Sequence, residues 1–184
     1  MAADSNGNIY IAETYNHCIR KMTPDGTVST IAGVPGKQGS QDGNAKEATF
    51  NYCYGIAVGY DGSIFVADTY NYTIRRISVD GIVSTLAGSA GKSGYVDGNG
   101  NDARFSDPQG ICVNSKGIIF VADRWNNCIR RITQDGTVTT FAGSGKSGFM
   151  DGTLHQAQFN NPYNITVDGN DFYVADYGNN RVRK

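Results

Sequence analysis

A chain of 184 residues, 39% of them hydrophobic, is long enough to bury one sizeable core, so we expect a single domain. Its 16 basic and 17 acidic residues leave a net charge of -1, which excludes a global positive field that would hold nucleic acid or anionic lipid. The apolar runs, such as 63–67 and 118–122, are much shorter than a membrane-spanning helix, so we expect no membrane partner.

The composition favours short strands over helices. The chain has 24 glycines and only 4 prolines, and it is rich in Val, Ile, Tyr, Phe and Thr. Such a composition predicts many short strands joined by glycine-dependent turns.

Four cysteines show no pairing pattern: Cys18, Cys53, Cys112 and Cys128. They include no Cys-x-x-Cys pair, and they do not recur as a constant pair in each unit, as a disulfide framework would. We therefore expect reduced, semi-buried thiols that act as small hydrophobic side chains.

The sequence repeats with a period of about 55 residues. A β-branched apolar residue, an alanine and an acidic residue return four times, as Ile11-Ala12-Glu13, Val66-Ala67-Asp68, Val121-Ala122-Asp123 and Val174-Ala175-Asp176. Ala-Gly pairs, Asp-Gly pairs and a phenylalanine keep the same period. The chain therefore divides into units at about 1–55, 56–110 and 111–164 and a partial unit at 165–184, which together form one domain over 1–184.

The second unit shows the predicted elements in chain order. Strands a, b, c and d are predicted at 55–58, 63–67, 73–77 and 83–86. Asp-Gly turns follow strands a and c. Strand b is a dense apolar run that should be buried on both faces, whereas strand d alternates apolar and polar residues as a half-exposed outer strand does. Each unit is thus predicted to be one antiparallel sheet.

A long connection at 87–107 leads to the next unit, and it has a pattern of its own. An Ala-x-Phe motif recurs in each connection, at Ala48 and Phe50, Ala103 and Phe105, and Ala157 and Phe159. We expect these side chains to fill the core between adjacent sheets. Because a lone four-stranded sheet cannot bury both faces, the units must stack face to face, and short strands in fours favour a β-propeller.

Three segments of the third unit carry a family resemblance: Pro108-Gln109-Gly110-Ile111-Cys112-Val113, Gly117-Ile118-Ile119-Phe120-Val121-Ala122-Asp123 and Asn126-Asn127-Cys128-Ile129-Arg130. They resemble the NHL repeat family, and the resemblance covers essentially the whole chain. It implies an all-β fold of four-stranded antiparallel propeller blades. The chain departs from the pattern where Cys53 replaces proline, Asn164 replaces glycine and Glu13 replaces aspartate.

The number of units predicts an incomplete ring. The chain holds three blades plus strands a, b and c of a fourth, whereas the propellers it resembles usually close with six blades. We expect either a fragment of a larger propeller or a protomer that self-associates to complete its ring, because an unpaired strand edge invites pairing between chains.

Two sets of polar residues recur in every unit. An acidic residue is followed three positions later by asparagine, at Glu13 and Asn16, Asp68 and Asn71, Asp123 and Asn126, and Asp176 and Asn179. These oxygen ligands could hold a metal, but Asp and Asn also stabilise tight turns by binding backbone amides, so we expect a scaffold role and no metal.

Arginines recur in strand c, at Arg20, Arg75, Arg130 and Arg183. They could meet RNA phosphates, as in some NHL domains, or cover the sheet and pair with turn carboxylates; we expect the second role.

Two further motifs indicate no chemistry. Lys37, Lys92 and Lys146 lie in short Gly-Lys loops that lack the spacing and the following helix of a phosphate-binding loop. The histidines, His17 and His155, lie at different phases of the repeat, so the sequence predicts no catalytic residues and no cofactor.

The b–c turns vary most within the constant frame. Aromatic, histidine and arginine side chains occupy these turns, at Tyr15, His17, Tyr70, Tyr72, Arg124, Trp125 and Tyr177. Because b–c and d–a connections leave a blade on the same side, these residues should share one face, although each ring could instead pack on its own neighbouring loop. Tyr, Trp and Arg are frequent interface anchors.

We therefore predict a protein- or peptide-binding module. The alternatives are a propeller enzyme, a lyase or hydrolase whose site is completed by further blades, and an RNA-binding NHL domain. The sequence leaves the cellular compartment open.

Overall fold

The computed structural model describes all 184 residues, which form four antiparallel sheets arranged as propeller blades. Apart from single turns of 3-10 helix, all regular structure is β-strand. The predicted all-β fold, with three complete blades and strands a, b and c of a fourth, is confirmed. None of the helices has the length and apolar character needed to span a membrane.

The strands run in chain order through the four blades. Blade 1 contains β1 (Ala2–Ala3), β2 (Ile9–Glu13), β3 (Cys18–Met22) and β4 (Val28–Ala32). Blade 2 contains β5 (Gly43–Asn44), β6 (Cys53–Val58), β7 (Ile64–Asp68), β8 (Thr73–Ile77) and β9 (Ile82–Gly88). Blade 3 contains β10 (Gly98–Asn99), β11 (Pro108–Val113), β12 (Ile119–Asp123), β13 (Cys128–Ile132) and β14 (Thr137–Ala142). Blade 4 contains β15 (Pro162–Asp168), β16 (Asp171–Asp176) and β17 (Arg181–Arg183).

One-turn 3-10 helices form the b–c turns. They span Thr14–Asn16, Thr69–Asn71, Arg124–Asn126 and Tyr177–Asn179, and a fifth, Gly100–Asp102, lies in the connection between blades 2 and 3. Each b–c helix is followed by a residue in the left-handed conformation, which reverses the chain into strand c.

Blades 2 and 3 each have a fifth strand that the sequence did not predict. The connection arriving from the preceding blade pairs two residues with the outermost strand, so that Gly43 lies opposite Val83. Asp42 fixes this arrangement, because its carboxylate accepts the Thr85 backbone N–H at 2.9 Å and also binds Arg75. The strand was missed because two residues carry no periodic pattern, and only contacts with the next blade create it.

Apolar clusters fill the spaces between adjacent blades, as predicted for the Ala-x-Phe motif. Phe50, Phe105, Ala48 and Ala103 are fully buried. Phe105 belongs to a cluster that joins strands of blade 2 to strands of blade 3. The phenylalanines therefore act as plugs between sheets, which is what holds the blades face to face.

The cysteines lie deeper than the semi-buried positions expected for them. All four are unpaired and buried. Burial raises the pKa of the Cys18 thiol to about 11 and that of Cys53 to about 12, so both remain protonated thiols near neutral pH. They pack as small hydrophobic side chains.

The innermost strands surround a central groove. Strands β1, β6, β11 and β15 line a cavity of about 470 Å³. Blade 1 packs against blade 2 and blade 4 packs against blade 3. Accordingly, every residue of the central strands β7 and β12 is buried, as predicted for strand b, whereas β2 of blade 1 is half-buried along its whole length.

Candidate functional site

The recurring acidic residue organises each b–c turn. In blade 2, one Asp68 oxygen accepts the Asn51 backbone N–H at 2.7 Å, and the other accepts bonds from Asn71 at 2.8 Å and Arg75 at 2.7 Å. Asp123 and Asp176 make the corresponding bonds in blades 3 and 4. These carboxylates and asparagines bind backbone and side chains within the scaffold, but the backbone amide that each carboxylate binds belongs to the connection from the preceding blade and not to the b–c turn itself, as the turn role would require.

The arginines of strand c are largely inside the protein. The side chains of Arg75 and Arg130 are 0% exposed, and each binds two carboxylates. Arg183 is 11% exposed and Arg20 is 31% exposed. Of the two roles considered for these arginines, pairing with carboxylates is therefore the one that fits their positions.

The b–c turns and the ends of the d–a connections lie together at one end of the blades, as predicted. The backbone N–H of Tyr70 donates to the Asn51 carbonyl at 3.1 Å, and that of Trp125 donates to the Ser106 carbonyl at 3.1 Å. Residues of both kinds of connection therefore share a surface. This surface lies at the end of the central groove where the innermost strands begin.

Four of the predicted site residues present large rings to solvent on this surface. Tyr15 is 79% exposed, Tyr70 49%, Trp125 56% and Tyr177 63%. Water covers these rings in the free protein. A partner that displaces this water would bury their apolar area, which favours binding.

Three tyrosines that were not predicted complete the surface. The Tyr52 ring lies 5.8 Å from the Tyr15 ring and 4.7 Å from the Tyr70 ring, measured between centroids. Tyr54 and Tyr163 occupy matching positions in β6 and β15 and line the groove. We call Tyr15, Tyr52, Tyr54, Tyr70, Trp125, Tyr163 and Tyr177 the aromatic face.

Tyr54 marks the junction between the aromatic face and the groove. Burial raises the pKa of its phenol, and the neighbouring Tyr15, Tyr70 and Tyr163 act in the same direction. Variation at the start of strand a, where the repeat has Tyr54, Gln109 and Tyr163, was the sequence signal that could have identified these positions.

A polar cluster lies beside the rings on the blade 3 side. Arg124 donates to the Asp107 carboxylate at 3.1 Å, and its guanidinium lies 5.7 Å from the centre of the Tyr163 ring. Gln109, which is 3% exposed, donates to the same Asp107 oxygen at 3.2 Å, while its own side-chain oxygen has no hydrogen-bond partner. The cluster is neutral as a whole, because the Arg124 charge balances that of Asp107.

The remaining predicted site residues lie at different depths. Tyr72 and Arg124 are half-buried, whereas His17 is 4% exposed. The His17 imidazole lies beneath Tyr52, where its Nδ1 accepts the Tyr52 backbone N–H at 3.1 Å. His155 is exposed in the connection between blades 3 and 4, so the two histidines do not meet.

The lysines of the Gly-Lys motifs lie in surface loops. Lys37, Lys92 and Lys146 are exposed, and the segment after each is not an α-helix. The loops therefore lack the helix N-terminus on which a phosphate-binding loop depends.

Two family models and several known proteins match this chain, and both models describe NHL repeats or an NHL domain. The NHL repeat model matches residues 1–22, 105–132 and 159–184, and the teneurin NHL domain model matches residues 36–96. The chain is 38% identical over 97 residues to the chloroplastic protein SUPPRESSOR OF QUENCHING 1 of Arabidopsis thaliana, covering 52% of this chain and 9% of that protein. It is 30% identical over 173 residues to NHL repeat-containing protein 2 of Bos taurus, covering 86% of this chain and 24% of that protein.

Solved structures share the blade arrangement. An auxiliary nutrient binding protein from Bacteroides thetaiotaomicron superposes with a TM-score of 0.77 at 25% identity, covering 97% of this chain and 44% of that one. The virginiamycin B lyase of Staphylococcus aureus has a TM-score of 0.61 at 21% identity, covering 98% of this chain and 52% of that one, and it shows the fold alone. The chain thus spans about a quarter or less of these curated relatives and about half or less of these solved structures. With the blade topology and the repeat motifs, these matches show that the chain belongs to the NHL-repeat β-propeller family.

Proposed function

We propose that the chain is a binding module whose aromatic face engages a protein or peptide partner. The observation that carries this proposal is the set of rings left between 49% and 79% exposed around one end of the groove: Tyr15, Tyr70, Trp125 and Tyr177. Burying such rings against a partner supplies the largest favourable contribution in many interfaces, and Tyr, Trp and Arg dominate interface hot spots.

The rings are held in place before any partner arrives. Tyr15 and Tyr70 pack on Tyr52, and Tyr177 packs 5.8 Å from Tyr163. These contacts agree in part with the alternative that each ring packs on a neighbouring loop. They leave about half or more of each of these residues exposed, however, and a pre-ordered ring loses little conformational entropy on binding.

The electrostatics favour an uncharged recognition element. Arg124 and Asp107 neutralise each other, so the surface beside the rings carries no net charge. A peptide segment with apolar or aromatic side chains matches this combination of exposed rings and a neutral polar cluster.

A small nutrient molecule is the second candidate ligand. The groove volume of about 470 Å³ falls in the range of small-molecule sites, which is roughly 300–1,000 Å³. The structural relative from Bacteroides thetaiotaomicron is an auxiliary nutrient binding protein, which supports ligand binding on this kind of propeller.

We propose binding in preference to catalysis or RNA recognition. The imidazole nearest the aromatic face belongs to His17, which is buried and engaged with a backbone N–H, so it is not free for acid–base work. Arg75 and Arg130 are enclosed in ion pairs and do not reach phosphates outside the protein.

The aromatic face can be tested by peptide selection. A random peptide library would be panned against the chain, and affinities of the selected peptides measured for Trp125→Ala, Tyr70→Ala and the control Tyr60→Ala. Tyr60 is 81% exposed but lies in an a–b turn at the opposite end of the blades. We expect about tenfold weaker binding or more for the first two variants and no change for the control.

Trp125 is the chain's only tryptophan, so its fluorescence reports ligand contact directly. Equal affinities for all three variants would show that the wrong face was chosen. If selection yielded no peptide but saccharides or other nutrients altered Trp125 emission, the small-molecule candidate would replace the peptide.

A further inference from the structure

One hydrogen bond joins blade 1 to the centre of the aromatic face. The Tyr52 backbone N–H donates to His17 Nδ1 at 3.1 Å, between residues 35 positions apart in the sequence. The Tyr52 ring also meets the His17 imidazole edge to face, with centroids 4.7 Å apart. His17 therefore supports Tyr52 from beneath, and Tyr52 in turn supports Tyr15 and Tyr70.

Tyr52 has a strained backbone. Its φ is +51°, in the left-handed region that a bulky residue rarely occupies. Such a conformation persists only where surrounding contacts hold it. The bond from its N–H to His17 is one of these contacts, and the Tyr52 ring packs on the same imidazole, so losing the bond would loosen the ring. The left-handed backbone itself does not require the bond, because the equivalent Asp107 keeps a φ of +59° with Tyr72 in the position of His17.

Blade 3 contains the same device with a different side chain. Asn127 occupies the position of His17 after the b–c helix, and its Oδ1 accepts the backbone N–H of Asn161 at 3.0 Å. Asn161 matches Tyr52 in the repeat and has the same φ of +51°. An asparagine oxygen accepts this bond at any pH, whereas an imidazole nitrogen accepts it only when unprotonated.

The surroundings of His17 are uncharged. Tyr52 faces it from the connection to β6, Cys18 follows it in β3, and Gly33 approaches its carbonyl from the connection after β4. The charged pair of this blade, Glu13 and Arg20, is neutralised internally at 3.1 Å. Burial alone lowers the His17 pKa, with no carboxylate to stabilise the imidazolium.

We infer that His17 is a positioning residue for the aromatic face: its unprotonated Nδ1 holds Tyr52 in place, and protonation releases Tyr52 and weakens ligand binding. This inference rests on the proposed function for its binding readout. Protonated Nδ1 becomes a donor and faces the Tyr52 N–H, so the bond is replaced by a contact between two donors. The ring must then turn or move toward water, and the packing of Tyr52 against Tyr15 and Tyr70 changes with it.

The direction of the pH effect follows from the lowered pKa. The unfolded chain takes up this proton near the ordinary histidine value of 6.5, whereas the folded chain resists it until lower pH. The stability that neutral His17 supplies is therefore complete above the ordinary value, and it is lost as the pH falls through the window below it.

Two reciprocal variants separate this role from a general loss of folding. His17→Asn copies the arrangement of Asn127, so it should keep the Tyr52 bond and remove its pH dependence. Asn127→His should introduce the same pH dependence at Asn161. Both replacements are compatible with the left-handed backbone, because asparagine and histidine already occupy it in this repeat.

The first readout needs no ligand. The amide resonance of Tyr52 would be followed by NMR from about pH 7.5 to about pH 4.5, a range that extends well below the ordinary histidine pKa because burial lowers the pKa of His17. We expect it to move with the His17 titration in the natural chain and to stay fixed in His17→Asn. In Asn127→His, the amide of Asn161 should begin to titrate. A Tyr52 amide that titrates equally in the natural chain and in His17→Asn would overturn the inference.

The second readout is affinity for the selected peptides. Between the same two pH values the natural chain should bind about fivefold more weakly in acid, as expected for one lost hydrogen bond, and His17→Asn should show no change. Peptide binding that depends on Trp125 and Tyr70 but has the same pH profile in His17→Asn would refute the positioning role and leave the proposed function intact. A Tyr52 amide that titrates as expected, with no peptide selected at all, would support the positioning role and remove the proposed function.

Discussion

At the scale of single residues, the buried arginines join three segments of the fold. Arg75 donates to Asp68 at 2.7 Å and to Asp42 at 2.6 Å, and it also donates to the carbonyls of Thr49 and Gln41. Asp68 ends strand b, whereas the other three partners belong to the connection from the preceding blade. Arg75 therefore ties one blade to the next, and the same pattern recurs at Arg130.

Removing this arginine should be costly. In Arg75→Met the carboxylate of Asp68, which is 0% exposed, loses its counterion while remaining buried. We expect a loss of about 3–5 kcal/mol in the free energy of unfolding, measured by urea denaturation.

The adjacent residue provides a matched control for that variant. Arg76 pairs with Asp61 at 3.0 Å, but the two side chains are 34% and 50% exposed. Arg76→Met should therefore cost less than about 1 kcal/mol. Equal losses of unfolding free energy for the two variants would mean that burial of the Arg75 pair adds nothing to stability.

At the scale of elements, the d–a connection depends on a glycine at the end of strand d. Gly88 has a φ of +89°, and a Cβ there would lie 2.4 Å from the Tyr72 carbonyl oxygen. Gly33 and Gly143 occupy the same position under His17 and Asn127. The missing side chain lets the outer strand pass directly over the left-handed residue of the b–c turn, so each connection starts at the aromatic face.

Gly88→Ala should therefore destabilise the fold through both strain and collision. We expect a loss of about 3 kcal/mol or more in the free energy of unfolding, since backbone oxygen cannot move aside as a flexible side chain can. Gly81→Ala is the control, because Gly81 has a φ of +74° with no atom within 4 Å of the added Cβ. Gly81→Ala should lose only about 1–2 kcal/mol of the free energy of unfolding, which is the cost of holding alanine at a positive φ, as measured by thermal or urea unfolding. Similar losses at the two positions would show that the close approach at Gly88 is relieved without cost.

At the scale of the whole molecule, the terminal blades differ from the central ones. Each of them packs against one neighbour, and β2 is half-buried where β7 and β12 are buried throughout. In addition, β17 pairs with β16 alone among the strands of these 184 residues. Half-covered sheets and free strand edges promote association between chains.

We propose that these 184 residues, expressed on their own, self-associate in solution. Sedimentation or light scattering across a range of concentrations should give a mass of at least twice that of the monomer, falling on dilution. A monomer at every concentration would show that the terminal blades do not mediate association. Adding a charge to the blade 1 flank with Ala3→Glu, at an exposed residue opposite Ile9 of β2, should weaken association, whereas the same charge at exposed Val79, in a turn of blade 2, should not.

The sequence by itself determined the repeat period, strands a to d of the blades and the phenylalanine plugs. These features depend on local patterns, such as apolar runs, Asp-Gly turns and residues returning every 55 positions or so, and a local pattern is visible without coordinates. It also identified four exposed rings of the aromatic face, because they vary within a constant turn.

Only the tertiary structure decided the fifth strands, the burial of Arg75 and His17, and the gathering of Tyr52, Tyr54 and Tyr163 with the rings of the b–c turns. Each of these depends on a contact between neighbouring blades, such as the bonds from Arg75 to Asp42 and from Tyr52 to His17, which join residues 33 and 35 positions apart. The sequence gives no distance between such residues. Their proximity arises because blades that cannot bury both faces alone stack on one another, and that stacking brings the end of one blade's connection onto the turn of the blade before it.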